Sequence, residues 1–281
     1  MSEWPLLITA ERLRQEGGVV QVLDCQAQLS DPKAGRRAWL AGHIPGAVHL
    51  DLEKDLSAPV SERTGRHPLP DPQQLIRTLG EKGIRPDRPI VIYDNSGGAF
   101  AGRAWWLLRW LGHESVALLD GGLAAWQALE GPLEEGAQSR PVTEYAGRPG
   151  QMPVVDATTV QSRLASDELL LLDARGSARF KGREEPIDPV AGHIPGAVNL
   201  PFMDNLDKNG YWRRPEELRD RFEAVLSPFD PEQSAHMCGS GVSACHNLFA
   251  MELAGLKGSA LYAGSWSEWI RDPSRPLARD P

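Results

Sequence analysis

No apolar run in this sequence approaches the ~20 residues a helix needs to cross a bilayer, which excludes a helical membrane protein. A basic start followed by an apolar core is also missing. The chain opens Met1-Ser2-Glu3-Trp4-Pro5, so no signal peptide is expected and a cytoplasmic location follows as the default. Basic residues are in the minority: 30 Lys and Arg against 38 Asp and Glu leave a net charge of −8, with the cations scattered along the chain. A general binder of nucleic-acid backbones or of a membrane surface is therefore not expected. Cysteine is scarce. Three cysteines cannot form a fully paired disulfide framework, and Cys25, Cys238 and Cys245 lack the clustered spacing of a structural zinc site. Free thiols suit a reducing compartment, and one of them can be present for its reactivity.

What the chain does have is length and a repeat. Its 281 residues can bury two ordinary cores. Gly42-His43-Ile44-Pro45-Gly46-Ala47-Val48 recurs word for word as Gly192-His193-Ile194-Pro195-Gly196-Ala197-Val198. Each copy follows an apolar segment ending in Leu-Asp, at Leu23-Asp24 and Leu172-Asp173, and each precedes a glycine turn with a later tryptophan, Trp126 or Trp269. So long a period indicates a duplicated domain rather than a solenoid. The prolines and glycines of the word restrict and turn the chain before a strand, and its histidines, His43 and His193, are expected to hold hydrogen bonds.

Short apolar runs at 19–23, 90–93 and 116–119, and again at 169–172, 234–237 and 260–262, predict buried strands. They alternate with helical patterns at 72–82, 103–111 and 123–129, then 215–226, 242–253 and 267–271. This alternation predicts an α/β fold of two tandem domains, each a mainly parallel sheet flanked by helices. The expected boundaries are 1–135 for the first domain, 136–153 for a Pro- and Gly-rich linker and 154–281 for the second.

Duplication exposes chemistry as what appears only once. Aligning the third strands sets Tyr93-Asp94 over Met237-Cys238. Cys238 thus stands at a strand end before Gly239-Ser240-Gly241-Val242-Ser243, where a helix begins, while the first half has Asp94. Unpaired N–H groups at a helix start converge on an anion and the helix dipole adds positive potential, both favouring an anionic sulfur. Gly239 and Gly241 let the backbone curl into a concave nest, and Ser240 and Ser243 can add hydroxyls. For Cys25 and Cys245 a buried structural role is the better reading. A cysteine phosphatase would carry C-x5-R, but Ala244 stands where that arginine belongs.

The whole chain resembles the tandem-domain rhodanese sulfurtransferases. Its loop Cys238-Gly239-Ser240-Gly241-Val242-Ser243-Ala244 is similar to the CGSGVTA loop of the 3-mercaptopyruvate members, whereas thiosulfate-preferring members carry charges, as in CRKGVTA. The resemblance implies an inactive first domain bearing Asp94 and an active second domain bearing Cys238. It implies that Arg179, before Phe180, binds the donor, with Arg183 a second candidate. Family members often place another arginine where this chain has Asp188, and that departure bears on donor preference. The resemblance further implies that Ser240 works with a histidine, matched by His67 in His67-Pro68-Leu69-Pro70, and with an aspartate, for which Asp55 is the nearest candidate.

The expected activity is transfer of sulfane sulfur from 3-mercaptopyruvate to a thiol or cyanide through a Cys238 persulfide. The backbone from Gly239 to Ser243 would stabilise negative charge. No metal or organic cofactor is expected. The acceptor would be a small thiol, cyanide or a protein thiol such as thioredoxin. Two alternatives stand beside this reading: a thiosulfate:cyanide sulfurtransferase, and a module that carries persulfide or senses redox state without turnover.

Overall fold

The computed structural model describes residues 4–280; the first three residues, part of the start weighed above for a signal peptide, and the last lie outside the described residues. The chain divides into two compact units. The first comprises residues up to Ala58, then Leu69–Gln151 and Lys208–Trp212; the second comprises Pro59–Pro68, Met152–Asp207 and the chain from Arg213 onward.

In the first unit the order is β1 (Leu7–Ile8), α1 (Ala10–Glu16), β2 (Gln21–Asp24), α2 (Ala34–Ala41), β3 (Val48–His49), α3 (Pro72–Glu81), β4 (Ile90–Tyr93), α4 (Ala99–Trp110), β5 (Val116–Leu119) and α5 (Gly122–Ala128). The five strands form one sheet in the order β1-β5-β4-β2-β3, and every pairing is parallel. Successive side chains on a strand face opposite sides of the sheet. Val91 and Tyr93 of β4 therefore join one core with Ala117, Leu119, Leu123 and Trp126, while Ile90 and Ile92 are buried on the other side. Covering helices on both faces explain why these strands are continuous apolar runs rather than alternating ones.

The second unit repeats the plan: α6 (Ala157–Ala165), β6 (Leu170–Asp173), α7 (Ser177–Phe180), β7 (Val198–Asn199), α8 (Pro215–Leu226), β8 (Ser234–Met237), α9 (Ala244–Leu253), β9 (Ala260–Leu261) and α10 (Ser265–Trp269). Its four strands run in the order β7-β6-β8-β9, again all parallel. Leu169, Leu171, Ala235, Met237, Tyr262, Trp266 and Trp269 build the core on one side. Parallel strands bring their C-terminal ends to one edge, and in open α/β sheets that edge is where ligands bind. Asp94 follows β4 there, and Cys238 follows β8.

The duplicated word has the same job in both units. His43 Nδ1 lies 2.7 Å from the Trp39 carbonyl, and His193 Nδ1 lies 2.9 Å from that of Phe180. Each ring stacks on the aromatic residue that it bonds, with centroids 4.9 and 3.9 Å apart. His43 and His193 also exchange paired backbone bonds with Glu134 and Ala278, which fasten the tail of each unit.

Candidate active site

Cys238 directly follows β8 and is buried, only 2% exposed. Its sulfur accepts the Gly241 N–H at 3.1 Å and the Ser240 N–H at 3.4 Å. The loop can curl this way because Gly241 has φ +76°, a left-handed conformation that a side chain disfavours. A Cβ there would also lie 2.4 Å from the Ala263 carbonyl oxygen. Val242 is buried and Ser243 part-buried at the entry to α9, whose first turn is tightened by bonds from Cys245 N to Val242 O and from His246 N to Ser243 O. Two further bonds brace the loop from α10, Trp266 N to Cys238 O and Ser267 N to Gly239 O, at 3.0 and 2.9 Å.

The first unit shows what such a loop does with a fixed anion. The Asp94 carboxylate accepts four backbone N–H groups, from Ser96, Gly98, Phe100 and Ala101, at 2.8 to 2.9 Å. Burial pushes its carboxyl above the usual range, and the four N–H groups pull the other way. The duplicated architecture is thus an anion nest at both sheet edges. In one the anion is a built-in carboxylate, and in the other the nest is closed on a sulfur.

Around Cys238 the structure gathers several of the expected residues. His67 is buried, and its Nδ1 lies 2.7 Å from the Ser240 hydroxyl. Arg179, in α7, faces Gly239: a Cβ on Gly239 would be 3.4 and 3.5 Å from its two terminal nitrogens. Arg183 stands exposed after α7, its backbone N–H bonded to the Ala178 carbonyl. Asp55 lies in the first unit, where its carboxylate accepts the Asp51 N–H at 2.7 Å and pairs with Lys82 at 2.9 Å. Cys25 and Cys245 are buried; burial pushes the Cys25 thiol well up, and the Cys245 thiol donates to the Gly241 carbonyl at 3.3 Å.

Sequence reasoning missed two residues here. Arg66, on the segment 59–68 that belongs to the second unit, is closer to Gly239 than Arg179 is: a Cβ there would be 2.8 Å from its Nη2. Ser265 occupies φ +55° although it is not glycine, and its hydroxyl accepts the Cys238 N–H at 3.0 Å while donating to the Tyr262 carbonyl at 2.9 Å. Its counterpart at the start of α5 is Gly122, also at positive φ. Setting Gly121-Gly122 against Gly264-Ser265 is the comparison that could have singled it out. For Arg66 no local signal existed.

The match to the rhodanese-like domain model covers residues 9–129 and again 156–272, both halves of the duplication. The chain belongs to the rhodanese family. It is 52% identical over 276 residues to a probable 3-mercaptopyruvate sulfurtransferase of Pseudomonas aeruginosa, covering 97% of either chain. To a mouse thiosulfate sulfurtransferase it is 35% identical, covering 91% of this chain and 86% of that one. A solved Escherichia coli structure of a 3-mercaptopyruvate sulfotransferase with the rhodanese fold superposes with a TM-score of 0.81 at 32% identity, covering 93% of this rhodanese and 99% of the other. None of the helices among the described residues is long and apolar enough to cross a membrane.

Proposed function

We propose that this rhodanese moves sulfane sulfur from 3-mercaptopyruvate to a thiol or cyanide acceptor through a persulfide on Cys238. The observation that carries the reading is the Cys238 sulfur held by the Ser240 and Gly241 N–H groups, with the Ser240 hydroxyl bonded to His67. The names of its relatives support the donor, and the loop without a cation between Cys238 and Ala244 fits a donor with a single carboxylate.

In the first half-reaction the Cys238 thiolate attacks the donor's sulfur. The S–S bond forms as the C–S bond breaks, and its electron pair leaves on carbon as pyruvate enolate. The donor's thiol proton ends on that carbon, relayed by the Ser240–His67 pair, giving pyruvate and an anionic persulfide. The nest N–H groups are already aimed at sulfur, so they need no reorganisation as charge shifts to the outer atom. In the second half-reaction a thiolate or cyanide attacks the outer sulfur and returns Cys238 as thiolate. Two half-reactions sharing one covalent intermediate predict ping-pong kinetics. Arg179 holds the donor's carboxylate; the exposed Arg183 is a secondary contact on the approach. Asp55, engaged by Lys82 and the Asp51 amide, braces its own loop, and no step is routed through it. Three unbridged cysteines support a reducing, cytoplasmic setting in which small thiols or thioredoxin-like protein thiols serve as acceptors.

The test is thiocyanate formation from cyanide with each donor, for wild type and Cys238→Ala, alongside intact-mass detection of one added sulfur. Faster turnover with mercaptopyruvate, abolished in the variant, is the expected result. Preference for thiosulfate would reassign the donor, a single stoichiometric load would make the protein a carrier, and activity in Cys238→Ala would end the persulfide mechanism.

A further inference from the structure

The first unit carries a cavity of about 210 Å³ that sulfur transfer at Cys238 does not use. It lies beside β3, the edge strand of its sheet, which pairs with β2 alone. Such an edge leaves every second N–H and C=O without a strand partner. Leu50 gives its N–H to the Asp24 carbonyl of β2 at 2.8 Å, so His49, one residue earlier, turns its backbone groups outward. The outward carbonyl takes Lys82 Nζ at 3.0 Å, and the outward N–H is left on the cavity side. Trp39 forms a wall that cannot fold away. Its ring is stacked with those of His43 and His49, at 4.9 and 5.7 Å between centroids, and its Nε1 donates to the Ala47 carbonyl.

The charges on this cavity are mostly positive. Arg36 of α2, Lys82 after α3 and Arg140 line it, with Glu81 the one acidic residue in the lining. Lys82 is balanced by Asp55 at 2.9 Å. Arg140 donates to the Gly46 carbonyl, but neither Arg36 nor Arg140 has a carboxylate partner among the described residues. Other arginines of this unit differ: Arg37 pairs with Asp31 at 2.6 Å and Arg85 with Asp87 at 2.7 Å. The chain has 38 acidic residues against 30 Lys and Arg, so carboxylates are not scarce. Two guanidinium groups left without one on a single cavity point to an anion from outside the chain.

We propose that this cavity is a binding site for a tetrahedral oxyanion of the phosphate class, gripped by Arg36 and Arg140 and seated on the His49 N–H and one Lys82 N–H. The ammonium of Lys82 has three donors, and Asp55 and the His49 carbonyl take two. The donors come from four separate segments: α2, β3, the turn after α3 and the stretch that follows Glu134. A carboxylate has two oxygens to offer them, whereas a phosphate has three or four, and each guanidinium can hold a pair. Size agrees, since the cavity is smaller than the roughly 300–1,000 Å³ of sites for drug-sized ligands. The bound ion ties Arg140 and its segment to α2 and the sheet edge, and so stabilises the first unit by linkage.

The experiment is calorimetric titration of the full chain with inorganic phosphate, glycerol phosphate and acetate at one fixed ionic strength. It is run on wild type, Arg36→Ala, Arg140→Ala and Arg37→Ala, the last a control whose side chain is outside the lining. Arg36 is exposed and has no protein partner among the described residues, so its removal leaves the fold intact. One saturable phosphate site is expected, weakened about tenfold in Arg36→Ala and in Arg140→Ala and by less than about twofold in Arg37→Ala. Acetate should bind at least about tenfold more weakly than phosphate. Tighter binding of inorganic phosphate would identify the free ion as the ligand, and tighter binding of glycerol phosphate a phosphate monoester. Absence of saturable binding, acetate equal to phosphate, an equal loss in Arg37→Ala, or an affinity unchanged in Arg36→Ala would each overturn the inference. No donor is present in the titration, so none of these outcomes bears on the persulfide mechanism.

Discussion

Gly241→Ala and Gly239→Ala make the same chemical change two positions apart in the cysteine loop, and the structure predicts opposite outcomes. At Gly241 the new methyl would lie 2.4 Å from the Ala263 carbonyl oxygen and 2.9 Å from the Ala263 α-carbon, both backbone atoms held in place by the strand β9 beside them. The residue would also have to keep φ +76°. Left-handed backbone costs an L-residue about 1–2 kcal/mol and overpacking a tight site about 1–3 kcal/mol, so a loss of about 2–4 kcal/mol in stability is expected. The loop can relieve the clash only by moving Gly241 away from Ala263, which takes its N–H off the Cys238 sulfur. Losing one preorganised donor to developing charge lowers rates by about 10²–10³. At Gly239, by contrast, the nearest obstacle is the tip of Arg66, a flexible side chain, and φ lies outside the left-handed region. Stability there should stay within about 0.5 kcal/mol of wild type, with the damage confined to KM for mercaptopyruvate. Denaturant unfolding measures the first quantity, and single-turnover persulfide formation with excess donor measures the second. A Gly241→Ala protein that loads sulfur at the wild-type rate, or two variants that behave alike, would refute the assignment of the Gly241 N–H to the sulfur nest.

Ser240→Ala should slow persulfide formation by about 10²-fold, and His67→Asn should do about the same. The double variant should be no worse than either, because the pair acts as one relay; additive losses in rapid-mixing assays would contradict this. His236, buried in β8 beneath the site, is pushed down to about 3 by burial, reinforced by the nearby Arg221. The unfolded chain therefore binds the extra proton first. The neutral ring's contribution is fully present above the unfolded pKa of ~6.5 and is lost as pH falls towards 3, by about 2 kcal/mol between pH 7 and pH 5. Denaturation midpoints of His236→Leu should be less sensitive over that interval than those of wild type. Asp94→Asn faces an amide NH2 towards donors that now meet a carboxylate oxygen, and should destabilise the chain by about 2–4 kcal/mol in urea unfolding; a neutral result would mean that the nest does not need its anion.

The duplicated word, the alternation of apolar runs with helical patterns and the cysteine set where the other half has Asp94 were all legible in the sequence, because each depends on local covalent facts. Three strands, 90–93, 116–119 and 234–237, and one helix, 215–226, fall where the apolar pattern places them. The other predicted elements differ from the observed ones by one to four residues at one end or both, since caps and first turns depend on neighbours that periodicity does not see. Several short elements went unpredicted, among them β1, α1, α2, α6 and α7, which are too short or too weakly patterned to stand out.

At the site the division is sharper. Cys238, Ser240 and Gly241 share one loop, so spacing alone could place them together, and Asp94 could be found by setting one half over the other. Arg66 could not be found that way. It is far from Cys238 in sequence and lies in the first half of the chain, yet folds with the second unit. Asp188 looked like a lost arginine. Only the fold shows it as the carboxylate shared by Arg179 and an arginine from elsewhere. Sequence determined which chemistry the cysteine can do, because an anion nest is made from consecutive backbone amides. Tertiary structure alone decided which charges stand over it, because those side chains converge through packing between segments distant in the chain.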